Sequence, residues 1–124
     1  MNKDKIYQEF LKENPESGIL KVQVFMANQA IPIANVNILI EKEISNETLD
    51  FYNGMTNESG IIEAISLPAP KIEDNDIPKY VSYQLIVKHP NYQGPTTYTI
   101  PIYSGQKMLQ YVVLKPLSKE NTNE

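Results

Sequence analysis

From Leu67 the chain reads Leu67-Pro68-Ala69-Pro70, then a proline- and acid-rich loop, Tyr80, the run Val81 to Lys88, and Asn91-Tyr92. The segment Pro68 to Lys79 holds three prolines with Glu73, Asp74 and Asp76, so it reads as a solvated loop, near the length at which loops carry function. The run after it alternates with period two, and Val81, Tyr83, Leu85 and Val87 make up its inward set. This order describes the second half of a small antiparallel β-sandwich, and no catalytic group lies inside it.

The first half obeys the same period. Leu20, Val22, Val24 and Met26 alternate with Lys21, Gln23 and Phe25 from Ile19 onward. After the connection Ala30 to Asn35, the residues Val36, Ile38 and Ile40 oppose Asn37, Leu39 and Glu41. A third strand is expected over about Thr48 to Met55 with Leu49 and Phe51 inward, and a turn at Asn57-Glu58-Ser59-Gly60 returns the chain through Ile61 to Leu67. Thr97 to Tyr103 and Lys107 to Lys115 complete seven strands, joined by a Ser104-Gly105 turn. Pro101 places the first of these at a sheet edge, since proline cannot donate to a ladder.

Ahead of the strands, Ile6, Tyr7, Phe10 and Leu11 share one helical face between Lys3 and Asn14, and Pro15 stops the pattern. The expected organisation is an N-terminal amphipathic helix and linker over 1–17, a sandwich over 18–117 and a polar, disordered tail over 118–124. The 124 residues suffice for one core, and with no cysteine that core has neither disulfide nor thiolate metal to support it. All eleven positive charges are lysine and the net charge is -4, which disfavours nucleic acid and anionic membrane as partners. No apolar run follows the charged N-terminus and none reaches a membrane span, so synthesis in the cytoplasm without membrane insertion is expected.

Three segments, Gly18-Ile19-Leu20-Lys21-Val22-Gln23-Val24, Ile31-Pro32-Ile33-Ala34-Asn35-Val36-Asn37-Ile38 and Thr56-Asn57-Glu58-Ser59-Gly60, together resemble the carboxypeptidase regulatory-like domains of the transthyretin-like group. The second half, through Pro78, Tyr80, Tyr92, Ile100 to Gly105 and Leu114-Lys115-Pro116-Leu117, is similar to a subfamily of spore-forming bacteria. That subfamily also occurs in spore cortex-lytic proteins, where it accompanies the hydrolase. The match runs from about Phe10 to Leu117 and implies a seven-stranded antiparallel transthyretin (prealbumin)-like β-sandwich. It departs from the broader pattern at Asn91, where glycine is usual, and asparagine tolerates the left-handed backbone such a turn needs.

Few residues offer chemistry. His89 is the single histidine and stands at a strand end before Pro90, which makes it a solvent-facing turn residue and no member of a triad. The resemblance extends to hydroxyisourate hydrolases, which would need several histidines, an arginine and a Tyr-Arg-Gly-Ser ending, whereas this chain ends Asn121-Thr122-Asn123-Glu124. Related adhesin domains join a lysine of the first strand to an asparagine of the last. Lys21 is suitably placed, but Lys107 to Lys115 contains neither Asn nor Asp. The cluster Glu73-Asp74-Asn75-Asp76 lacks the spacing of a calcium loop, and Asn46-Glu47-Thr48 and Asn57-Glu58-Ser59 match a glycosylation pattern by form only. No catalytic residue, metal site or cofactor is therefore assigned.

The remaining candidates are Tyr80, Tyr92, Tyr98 and Tyr103, which fall at strand ends and edges and whose ring faces can stack on sugar or peptide. The expectation is a non-enzymatic binding or assembly module, associated with the spore or cell envelope, with a protein or cell-wall glycan as partner. The alternative is a peptidoglycan- or glycan-binding accessory module. The sequence leaves the oligomeric state open.

Overall fold

The computed structural model describes residues 2–28, 30–73 and 77–117. One helix, α1 (Lys3–Glu13), precedes seven strands: β1 (Glu16–Met26), β2 (Asn37–Ile44), β3 (Glu47–Met55), β4 (Ile61–Ala69), β5 (Tyr80–Lys88), β6 (Thr96–Tyr103) and β7 (Lys107–Leu114). They form two facing sheets, ordered β4-β1-β7 and β3-β2-β5-β6. The alternation fixes which side chains meet between them. Leu20, Val22 and Val24 from β1, Ile38 and Ile40 from β2, and Tyr83, Leu85 and Val87 from β5 are fully buried. At roughly 1.5 to 3 kcal/mol for each large apolar side chain, this shared layer is the main source of stability.

The antiparallel expectation holds for four of the five ladders, while β1 and β7 run parallel, with Ile19 opposite Lys107 and Met26 opposite Leu114. Alternation reports the face of a residue and not the direction of its neighbour strand, so the sequence carried no sign of this. Pro68 is a second departure. Instead of opening the loop it lies within β4 opposite Ser17, and the connecting segment is 70–79. The β4 strand lies at a sheet edge, where proline is tolerated. Pro101 is likewise found on an edge strand, β6.

Helix α1 starts at Asn2, whose side chain accepts from the Lys5 N–H at 2.8 Å, and closes where the Asn14 N–H donates to the Phe10 carbonyl. Ile6 and Phe10 are buried, Leu11 is half-buried and Tyr7 stays largely outside. Phe10 meets Phe51 of β3 and Tyr83 of β5 edge-on at ring distances of 5.4 and 6.4 Å, so the helix closes the flank of the sandwich beside β3.

Two backbone devices set the turns. Gly60 has φ +74°, and a Cβ there would lie 2.5 Å from the Val24 carbonyl oxygen. Next to it, buried Thr56 accepts from the Val36 N–H at 3.0 Å and donates to the Ile33 carbonyl at 2.8 Å, which fastens the β1–β2 connection to the end of β3. Asn91 is not among the residues with positive φ. Its turn is held by His89 instead, whose Nδ1 accepts from the Asn91 N–H at 3.1 Å and whose carbonyl accepts from Tyr92. The ring of His89 is half-buried, less open to solvent than its place in the sequence suggests. The expected tail 118–124 and the acidic residues 74–76 lie outside the described residues.

Candidate functional site

One end of the sandwich gathers the start of β1, the end of β4, the start of β5, the end of β6 and the start of β7, as the pairs Glu16–Ala69, Tyr80–Tyr103 and Ile19–Lys107 show. The 70–79 segment leaves β4 at this end, and its described residues face Tyr103, Ser104 and Gln106 across a groove of about 220 Å³. Glu16 holds the two walls together. Its Oε1 accepts from the Ser104 hydroxyl and, at 3.4 Å, from the Ile72 N–H. Gly18 allows the close approach behind this point, because a Cβ there would strike the Tyr103 carbonyl and lie 2.8 Å from Ile102 Cγ2.

The groove is mixed in character. Lys71, Glu73 and Lys79 supply charge, with Lys79 Nζ 3.2 Å from Glu73, and Pro70 and Pro78 stiffen the wall. Ile72 and Ile77 are 65% and 76% exposed, unusual for isoleucine, and both border the groove. Beside it the rings of Tyr80 and Tyr103 pair at 5.2 Å between centroids, and Tyr80 is 53% exposed. Such a surface can grip an extended apolar or amphipathic segment or offer ring faces for stacking.

The four tyrosines singled out in the sequence do not form one cluster. Tyr80 and Tyr103 are direct register partners at the groove end. Tyr98 pairs with Leu85 partway along β6 and is packed against the core. Tyr92 lies at the opposite end of β5, edge-on to His89 at 5.1 Å and bridged to Pro116. A rim of the Pro68 to Lys79 loop with Tyr80 and Tyr92, as the sequence suggests, is not what forms: the loop begins at 70, and Tyr103 stands beside Tyr80 where Tyr92 does not reach. Glu16, Ser104 and Gln106 gave no signal of their own in the sequence, since only the register of β1, β6 and β7 brings them to the loop.

Lys21 lies on the outer face of β1 opposite Leu109, with its Nζ 3.4 Å from Glu63. Among the described residues no group of three or more histidine or acidic side chains could hold a metal ion, and no helix is long and apolar enough to cross a membrane.

Two facing sheets of three and four strands, with the first strand between the fourth and the last, define a transthyretin-like β-sandwich. The minor pilin GBS52 of Streptococcus agalactiae shares the fold with a TM-score of 0.61 at 14% identity, over 83% of this chain and 46% of the pilin. Transthyretin of Sparus aurata matches with a TM-score of 0.50 at 14% identity, over 80% of this chain and 90% of that one. The 5-hydroxyisourate hydrolase of Klebsiella pneumoniae matches with a TM-score of 0.50 at 17% identity, over 81% and 92%. The chain thus spans less than half of the pilin and most of the other two. At these identities the likeness is one of fold, and the fold alone serves proteins of different function. No protein-family model and no curated protein matches the chain.

Proposed function

We propose that this protein is a non-catalytic binding and assembly module, and that the groove between the 70–79 segment and Tyr103 to Gln106 receives an extended segment of a protein partner. The observation that carries this reading is the pair of exposed isoleucines, Ile72 and Ile77, set around a groove braced by Glu16. Apolar side chains gathered at a concave, proline-stiffened site favour a ligand that brings apolar surface of its own. Among the described residues the groove's charged side chains are Lys71, Glu73 and Lys79, with Lys79 paired to Glu73, and its Ser104 hydroxyl is tied to Glu16 as part of the brace.

The spore or cell-envelope setting rests on the subfamily resemblance, and the pilin's likeness in fold is compatible with it. The exposed Tyr80 ring beside Tyr103 supports one further reading, a cell-wall glycan stacked on the tyrosines. Pull-down on purified cell wall and cortex, run beside pull-down of proteins from a sporulating lysate, separates the two. Retention of a protein partner alone supports the first reading, and retention on the polymer alone supports the second. Turnover of peptidoglycan or hydroxyisourate would overturn both.

A further inference from the structure

The outer face and free edge of β7 lie away from the groove and are unused by the reading above. Leu109, Tyr111 and Val113 are 42%, 56% and 55% exposed, and the ring of Phe25 lies 6.2 Å from that of Tyr111. These residues alternate along a strand that, among the described residues, pairs only with β1. At the two ends of that ladder the Ile19 N–H donates to the Gln106 carbonyl and the Ala27 N–H to the Leu114 carbonyl. With period-two alternation, the even-numbered residues of β7 therefore bond to β1. The backbone groups of Leu109, Tyr111 and Val113 face outward, on the same residues that expose apolar side chains.

The free stretch has definite limits. Beyond Leu114 the edge is covered, because the Gln93 N–H donates to the Lys115 carbonyl and the Leu117 N–H to the Asn91 carbonyl. Before Lys107 the chain turns at Gly105, which has φ +73°. Among the described residues nothing pairs with the outer edge over 107–113, and its midpoint is Gln110.

We propose that this edge pairs with the same edge of a second copy, antiparallel about a two-fold axis at Gln110. In that register Leu109 faces Tyr111 of the other copy, Lys107 faces Val113, and no two lysines stand opposite. The charges favour this register over one centred on Tyr111, which would oppose Lys107 to Lys115 twice. The pairing joins two three-stranded sheets into one of six strands and covers an apolar edge of the kind that otherwise invites unspecific association. The contact is one strand wide and falls at or below the small end of stable interfaces, about 1,200 Å², so the dimer is weak and depends on concentration. One group opposes it: the Gln110 amide donates to the Tyr111 carbonyl at 2.8 Å and occupies an edge acceptor until the second strand arrives.

Sedimentation of the full chain from about 1 µM to 1 mM, a range that spans weak association, is the test. A reversible monomer–dimer equilibrium is expected. Leu109→Lys and Val113→Pro should each weaken it at least about tenfold, because one places charge on the apolar row and the other removes an edge donor that has no partner among the described residues. Their thermal melts check that the monomer remains folded. In a chain without cysteine, Gln110→Cys should oxidise to a disulfide-linked dimer, since residue 110 faces its own copy at a non-hydrogen-bonded position, while Ser66→Cys on β4 should not. A protein that stays monomeric throughout the range overturns the proposal. So does a dimer that is indifferent to both edge variants and is not linked through residue 110.

Discussion

The Tyr83 hydroxyl donates to the carbonyl of Pro68 at 2.5 Å, a bond that crosses the sandwich from β5 in one sheet to β4 in the other. It anchors the chain two residues before the groove segment begins. Tyr83→Phe keeps the ring in its contacts with Phe10 and Phe51 and removes only this bond. A loss of about 1 kcal/mol is expected from denaturant unfolding, with the m-value unchanged.

Burial pushes the Tyr83 phenol above its ordinary value, with a smaller contribution from Tyr7. The unfolded chain therefore releases this proton before the folded one does. The contribution to stability is complete below the ordinary phenol range near 10 and is lost as pH rises above it. Unfolding free energy measured from pH 8 to 11 should fall at the alkaline end in the parent protein and fall less steeply in Tyr83→Phe.

Removal of residues 1–14 should lower stability without abolishing the fold. The helix contributes two buried side chains, Ile6 and Phe10, to a core that the two sheets otherwise supply. A loss of about 3 kcal/mol is expected once the entropy of ordering the helix is set against that burial. A thermal melt should remain cooperative at a lower midpoint. An unchanged melt would show that the helix makes no net contribution.

Thr56→Val replaces a hydroxyl by a methyl of similar shape and leaves the Val36 N–H and the Ile33 carbonyl without their partner. Both lie in a buried setting, so a cost of about 2 to 3 kcal/mol is expected, well above that of a typical surface change. Calorimetry of this variant beside Thr56→Ser, which restores the hydroxyl, separates the hydrogen bonds from the packing.

No lysine crosslink should form. Lys21 is opposite Leu109 and 3.4 Å from Glu63, and β7 offers no Asn or Asp. Intact mass should equal that of the sequence, and a deficit of about 17 Da, one ammonia, would contradict this.

Elements whose residues alternate strongly were legible from the sequence. The inward sets of β1, β2 and β5 follow directly from period two, and the end of α1 follows from Pro15. Matters of pairing were hidden, because alternation assigns a face and leaves direction and register open. The parallel β1–β7 ladder therefore leaves no trace in the sequence, and nothing there tells that Tyr80 and Tyr92 lie at opposite ends of β5. Pro68 misled for a related reason: proline breaks an inner strand but is tolerated on an edge, and only the sheet order shows that β4 is one. The groove depends on Glu16 meeting Ser104 beside Gln106, ordinary polar residues on segments far apart in sequence that become a site through register alone.

The central claim is that the protein works by binding, through the groove end. Its most direct test is quantitative capture of a partner from sporulating lysate by the parent protein, by an Ile72→Ser and Ile77→Ser double variant, and by Tyr92→Ala. Tyr92, at the opposite end, serves as the internal control. Tyr92→Ala should retain the partner and the double variant should lose most of it, at least about tenfold, with melts of both confirming a folded sandwich. Equal capture by all three proteins, or loss with Tyr92→Ala alone, would contradict it.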